Sequence, residues 1–336
     1  MLQRIALFLA GRWAYLEVSA RLTDAGLPFP LRLACYTALA CVALVACMYI
    51  WQEGILYQPA VPTSAFGSKI RRSSETPAGM RSPSEHDVKF LDVRLTASDG
   101  VQLHAWWIPA SEARQRTAAT LLFSHENAGN IGFRLQEFVL LHHRLGCNVL
   151  LYDYRGYGDS QDAPINEAGL MRDARAAWDW VLGQDVDTSQ VFLYGRSLGG
   201  AVSIQLARDL CDADSVPLPA GLIVGNTFTS IEGVLGSVYP FLDFEFVKRH
   251  LLRLRWRSIE HIQHVRIPIL MMVGLRDEIV PSSHTPLLKA AAIRAPSVDL
   301  HTVPNGTHND TWLKAGAHYI VWLSDFMAAQ GKEKPD

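Results

Sequence analysis

The stretch Val191-Phe192-Leu193-Tyr194-Gly195-Arg196-Ser197-Leu198-Gly199-Gly200-Ala201-Val202 decides the fold. Its first four residues are apolar and read as a buried strand. From Gly200 to Leu210 the apolar spacing turns helical. Between the two lies Gly-x-Ser-x-Gly, at positions 195–199. A strand, this pentapeptide and then a helix is the context of a nucleophile elbow. The turn is sharp, so small residues must flank the serine. The Ser197 Oγ then stands clear at a helix N-terminus, where backbone N–H groups favour developing negative charge.

A serine alone is a weak nucleophile and needs a base and an orienting acid. Behind this kind of elbow the partners follow in the order Asp or Glu, then His. Ile267 to Gly274 reads as a buried strand, and Arg276-Asp277-Glu278 follows it. Val298 to Val303 reads as the next strand, and its loop carries Asn305-Gly306-Thr307-His308-Asn309-Asp310. Asp277 and His308 therefore emerge at strand ends on the edge that carries Ser197, the edge where open parallel sheets bind ligands. Glu278 is the alternative acid. Of twelve histidines, His301 lies mid-strand, His318 on the last helix and His142-His143 on an early helix. Only His308 follows a late strand in a glycine-containing loop. Asp153 precedes the serine and reads as a structural loop residue.

The remaining strands alternate with helices. Val88–Thr96 and Val101–Ile108 flank the turn Ser98-Asp99-Gly100 as a hairpin. Strands follow at Thr120–Phe123, Cys147–Tyr152 and Gly221–Val224, with helices at Ile131–Leu145 and Glu167–Leu182. That rhythm predicts an α/β fold, a mostly parallel sheet with helices on both faces. Residues 229–264 interrupt it with an aromatic-rich segment that reads equally as a lid or as ordinary packing helices.

Composition bounds the function. A chain of 336 residues with net charge −2 gives no support for nucleic-acid binding. No Cys/His cluster has metal-ligand spacing and no glycine-rich phosphate loop is present, so neither metal nor cofactor is expected. Of five cysteines, Cys35, Cys41 and Cys47 fall in one apolar run. Cys147 and Cys211 read as free buried thiols, with a bridge between them left open.

Leu33 to Trp51 carries no charge and suffices to cross a membrane as a helix. Arg12, Arg21 and Arg32 precede it, and the next basic residue is Lys69. That asymmetry predicts a signal anchor with a cytoplasmic N-terminus, a type II arrangement. Residues 1–32 form a tail; Met1–Leu16 is compatible with a helix along the membrane surface. Residues 52–86 read as a linker, exposed over Ser64–Pro83, which is rich in Ser, Pro, Gly and basic residues, and 87–330 as the catalytic domain. Two sequons, at Asn305 and Asn309, flank His308.

Four blocks carry a family resemblance: Asn127-Ala128-Gly129-Asn130-Ile131-Gly132, Asp153-Tyr154-Arg155-Gly156-Tyr157-Gly158, Gly195 to Val202, and Gly306-Thr307-His308-Asn309-Asp310-Thr311-Trp312. Together they resemble the α/β-hydrolase superfamily and, within it, the Bem46-like membrane hydrolases. The resemblance implies a single-pass membrane serine hydrolase with the triad Ser197, Asp277 and His308. By analogy its oxyanion hole uses the backbone N–H groups of Leu198 and Asn127. It implies a hydrophobic acyl ester or thioester as substrate and membrane lipid as a partner. Related superfamily members that remove palmitoyl groups from proteins make a depalmitoylase the alternative. A catalytically weak scaffold is the second alternative. In one place the chain departs from the family: a loop that usually reads His-Gly-Asn is His125-Glu126-Asn127. A carboxylate aimed at a developing oxyanion would raise the barrier, giving reduced or altered activity; because an ionised carboxylate is costly in a dry pocket, Glu126 is expected instead to face solvent.

Overall fold

Eight strands form one sheet: β1 (Leu91–Thr96), β2 (Gln102–Ile108), β3 (Thr120–Ser124), β4 (Asn148–Tyr152), β5 (Val191–Arg196), β6 (Gly221–Gly225), β7 (Ile269–Gly274) and β8 (Val298–Val303). The spatial order is β8-β7-β6-β5-β3-β4-β2-β1. β1 and β2 form an antiparallel hairpin, and β2 runs antiparallel to β4. All other neighbours are parallel. The protein is described here from a computed structural model, which covers residues 28–63, 67–213 and 217–331 together with Glu17, Ala20, Arg21 and Gly26. The expected strands are all present; β8 has the expected bounds and the others are shortened or extended by one to three residues at their ends.

The central strands β3 to β7 are buried along their full length. This is why they read as continuous apolar runs rather than as alternation. Helices cover both faces. On one side α3 (Glu167–Leu182), α4 (Leu198–Asp212) and α6 (His284–Ala291) pack Leu170, Trp178, Ile204 and Leu288 into one apolar layer. On the other, α2 (Leu135–Leu145) and α7 (Ala317–Gln330) contribute Phe138, Tyr319 and Leu323 to a second. Each fully buried side chain of this size contributes about 2–3 kcal/mol. The expected helix 131–145 is a 3-10 turn over Ile131–Arg134 that passes into α2. Between β6 and β7 the chain forms α5 (Ile231–Val238), a 3-10 turn at Pro240–Leu242, a π-helical turn at Val247–Leu251 and a short helix at Ser258–His261.

The chain divides into two compact units between Ile55 and Leu56. In the first, α1 (Phe29–Ile50) has 22 residues, mean hydropathy 2.2 in its most apolar window and no buried residue. At 1.5 Å per residue it measures about 33 Å, enough to cross a hydrocarbon core. Pro30 lies in its opening turn, where a missing N–H costs nothing. The helix begins four residues before the expected span, so Arg32 lies within its first turn. Met1–Leu16 falls outside the described residues.

The expected linker is corrected by the second unit. From Leu56 onward the chain packs on the hydrolase sheet and its loops. Tyr57, Ser73, Thr76 and Pro83 are buried. Val61–Pro62 pairs with Lys69–Ile70 in a short antiparallel ladder. Ser73 N donates to Asp159 (3.1 Å), and Asn130 Nδ2 donates to the Arg71 carbonyl (2.8 Å). A composition rich in Ser, Pro and Gly here makes tight turns against a surface, not a free tether.

The elbow imposes the tightest packing. A Cβ on Gly195 would collide with the Gly199 carbonyl, and one on Gly199 with the carbonyls of Ser124 and His125. Both obstacles are backbone and cannot swing aside. Gly199→Ala is therefore expected to lower stability by about 3 kcal/mol or more, read as a fall in the denaturation midpoint. Ala201→Gly, two residues on, should cost only about 1 kcal/mol.

Candidate active site

Ser197 sits between β5 and α4 at φ 53°, ψ −121°. A non-glycine residue holds this conformation only when its surroundings enforce it, at about 1–3 kcal/mol. Here Ser197 N donates to Gly225 O (3.0 Å), and Thr227 Oγ1 donates to Ser197 O (2.8 Å). The side chain is thereby lifted off the helix axis.

His308 Nε2 lies 3.0 Å from Ser197 Oγ, and His308 Nδ1 lies 2.8 and 2.9 Å from the two oxygens of Asp277. Asp277 Oδ1 also accepts the backbone N–H groups of Ile279 (2.9 Å) and Val280 (2.8 Å). Its carboxylate is fully shielded, and the His308 ring nearly so. An acceptor-only carboxylate at Nδ1 selects the tautomer with hydrogen on Nδ1. The Nε2 lone pair then points at the serine hydroxyl. Glu278 takes a different place, accepting His308 N (3.2 Å). The three residues of the expected triad thus converge from three loops on one sheet edge.

One residue that the sequence did not single out holds two of those loops together. Asn226, buried and at φ 46°, follows β6. Its Nδ2 donates to the carbonyls of Thr307 (3.0 Å) and His308 (2.9 Å) and to Thr311 Oγ1 (2.9 Å). Its Oδ1 accepts Gly274 N (2.9 Å), at the strand end that leads to Asp277. An asparagine after a strand is an ordinary turn signal, so nothing local marks this role.

Leu198 opens α4, so its N–H has no intrahelical acceptor and stands beside Ser197. Asn127 is held differently from a bare donor. Its Oδ1 accepts Tyr157 Oη (3.0 Å) and Gln58 N (3.3 Å), and its Nδ2 donates to Leu56 O. The side chain thus braces the loop after β3 against residues 56–58. His125 is buried beside it, with Nδ1 donating to Glu126 O (2.6 Å). Burial holds its pKa down at about 4, so the ring is neutral at pH 7.

Glu126 overturns the expectation that it faces solvent. It is 4% exposed and lies in a four-charge cluster. Its carboxylate pairs with Arg134 and Arg196, and Arg196 pairs in turn with Glu137 (2.9 Å). Tyr194 and Tyr319 share a hydrogen bond (2.7 Å), and Tyr319 Oη donates to Glu137. Burial pushes the Glu126 carboxyl up, but Arg134 and Arg196 prevail and hold it down at about 2. The carboxylate is ionised and already compensated, so it puts no free negative charge beside the serine. The feature that favoured a catalytically weak scaffold is thereby neutralised.

A mostly parallel sheet of this order, with a strained serine at an elbow beside a carboxylate-bound histidine, defines a serine hydrolase of the α/β-hydrolase class. Residues 115–243 match the family described as serine aminopeptidase S33. The chain is 36% identical to the α/β-hydrolase domain-containing protein WAV2 of Arabidopsis thaliana, over 87% of this chain and 92% of that one. It is 31% identical to the protein bem46 of Schizosaccharomyces pombe, over 89% and 95%, and equally to an uncharacterized membrane protein of Saccharomyces cerevisiae, over 85% and 92%. Among solved structures, an esterase of Pyrococcus furiosus superposes with TM-score 0.62 at 16% identity, covering 82% of this chain and 98% of that one. The chain belongs to the α/β-hydrolase family that includes bem46 and WAV2.

Replacing Glu126 by glycine strands the buried Arg134 guanidinium and leaves Arg196 with Glu137 alone. Glu126→Gly is expected to cost about 3–5 kcal/mol of stability, with turnover lost through unfolding rather than gained through a cleared oxyanion site. The pH dependence has a definite sign. A carboxyl whose folded pKa lies below its ordinary 4.5 stabilises fully above that value and loses the contribution as pH falls toward about 2. Thermal unfolding of wild type and Glu126→Gln should therefore differ most above pH 4.5, and the two curves should converge near pH 2.

Proposed function

We propose that this chain is a membrane-anchored serine hydrolase that cleaves hydrophobic acyl esters or thioesters through an acyl-enzyme. The observation that carries the reading is the relay from Asp277 to His308 Nδ1 (2.8 Å) and from His308 Nε2 to Ser197 Oγ (3.0 Å). In it, His308 Nε2 takes the Ser197 proton as Oγ attacks the acyl carbonyl carbon. Asp277 keeps the ring oriented and stabilises the imidazolium. The imidazolium then protonates the departing alkoxide or thiolate. Water repeats the sequence on the acyl-serine, releasing the acid and restoring the serine. The oxyanion is held by the N–H of Leu198, with that of Asn127 as second donor by analogy.

Support for an apolar acyl group comes from the segment between β6 and β7. Phe228, Ile231, Val234, Leu252, Leu254 and Trp256 belong to the same apolar cluster as Leu198 and Val280, which border the site in sequence. Support for a membrane anchor comes from α1 and from the similarity to a yeast protein named for the membrane. The absence of charge from Leu33 to Trp51, with Arg12, Arg21 and Arg32 before it, favours the type II orientation.

Labelling of the full-length protein with a fluorophosphonate, followed by assay on a panel of acyl esters and thioesters, tests the chemistry. Ser197→Ala should abolish labelling and lower kcat by roughly three to six orders of magnitude. Asp277→Asn should cost roughly 10⁴-fold by fixing the wrong tautomer. Full hydrolysis by Ser197→Ala would remove the reading. For topology, sealed vesicles should protect residues 56–331 from added protease. Digestion from the cytosolic face would reverse the orientation and bring palmitoyl-cysteine within reach as substrate.

A further inference from the structure

The eight-stranded sheet ends in two edge strands, β1 and β8. An edge offers a row of unpaired backbone groups, and charged side chains along it are one device that keeps other strands away. β1 carries Asp92 and Arg94. β8, Val298-Asp299-Leu300-His301-Thr302-Val303, carries one carboxylate and no lysine, arginine or proline. Two bonds fix which of its groups are free. Ile269 N donates to Ser297 O (3.0 Å), and Leu275 N donates to Val303 O (3.0 Å). Alternate residues of a parallel strand face its neighbour, so 297, 299, 301 and 303 face β7. Val298, Leu300 and Thr302 turn their N–H and C=O groups outward, and among the described residues nothing bonds to them. Side chains alternate between the two faces. Val298 and Leu300 pack on the apolar layer covered by α3, α4 and α6. His301 lies on the other face, stacked on Trp322 of α7 (4.3 Å between ring centres, 3°). Asp299 shares that face and is exposed.

The order of residues makes β8 complementary to itself. An antiparallel second copy centred on Leu300 sets Val298 opposite the partner's Thr302 and Leu300 opposite the partner's Leu300. It sets Asp299 opposite the partner's His301 and His301 opposite the partner's Asp299. The three outward residues then fall at hydrogen-bonded pairs, so each copy donates three N–H groups and accepts three. Asp299 and His301 fall at the closer, non-hydrogen-bonded pairs, where opposing side chains meet. There the carboxylate accepts an imidazole N–H, and the two-fold axis makes the contact twice. Centring on Asp299 instead would set two carboxylates face to face, so the charges select one register. A foreign strand would have to carry the same alternation; a second copy carries it by construction. The chain leading into β8 adds exposed apolar surface, with Leu287 on α6 at 55% and Ile293 at 74%.

We infer that β8 is an interface between two copies of this chain, which join their sheets by antiparallel β8–β8 pairing centred on Leu300, with an Asp299–His301 contact on either side of the axis. The same patch serves both copies, so the interface is isologous and takes up no third copy. It is independent of the chemistry at Ser197.

Sedimentation of the full-length protein in nonionic detergent, corrected for bound detergent and run over a concentration series, tests this. Wild type should sediment as a dimer. Thr302→Pro removes an outward N–H and leaves the ladder to β7 intact, so it should sediment as a monomer. His301→Asp sets carboxylate against carboxylate at both contacts and should raise the dimer dissociation constant roughly tenfold. Adding Asp299→His to His301→Asp exchanges the two groups and should restore the wild-type constant. Both of these variants lose the same stack on Trp322, so their difference reports the pairing alone and decides the matter even if Thr302→Pro fails to fold. A wild type that stays monomeric at every concentration would overturn the inference. So would a dimer unaffected by Thr302→Pro and His301→Asp, which would be held by another surface, or a double variant no tighter than His301→Asp. No turnover enters the measurement, so the interface and the hydrolase chemistry fail separately.

Discussion

The whole carboxyl edge of the sheet depends on one approach of backbone to backbone, where Gly199 meets the carbonyls of Ser124 and His125. Because neither side carries a side chain at that point, the first turn of α4 can lie directly against the end of β3. That contact sets the position of the Ser197 hydroxyl relative to the loop that follows β3. It also forces the serine into a left-handed backbone state that is tolerated only because Gly225, Thr227 and the helix hold it on both sides. The strain is local, the restraint is distributed, and the serine is presented without needing to move.

Around that contact the structure spends its polar side chains on holding loops still. Asn226 ties the His308 loop to the end of β7, and Asn127 ties the loop after β3 to Leu56 and Gln58. Tyr154 Oη donates to the carbonyl of His125 (3.0 Å). Arg155 sits between Asp99 (2.6 Å) and Asp173 (2.8 Å), pinning the loop after β4 to the β1–β2 turn and to α3. Each of these residues acts on the site through another residue. Together they hold four strand-end loops in place around the path of the proton.

The sequence was most legible where one residue type answers one local need. Gly195 and Gly199 mark a turn that only glycine permits. Continuous apolar runs mark strands buried on both faces, and the order of Ser197, Asp277 and His308 follows from which strand ends share an edge. Legibility failed where the partner is distant. The stretch from Leu56 to His86 looks like a tether by composition, because nothing within it reveals that Asp159 and Asn130 wait to bind it. Glu126 looks like a surface carboxylate or a catalytic defect, because its true partners, Arg134 and Arg196, are 8 and 70 residues away in the chain. Charge on a buried residue is readable only with its counterions, and those are assembled by the fold.

The buried cluster ties the departure at Glu126 to a second position. Arg196 with Glu137 is a neutral pair by itself, and Glu126 with Arg134 is a second neutral pair laid against it. Introducing Glu126 alone into a chain with glycine there would leave a surplus anion in the interior, and introducing Arg134 alone a surplus cation. Charge parity therefore couples positions 126 and 134, eight residues apart in sequence: removing either one leaves the other as an uncompensated buried charge.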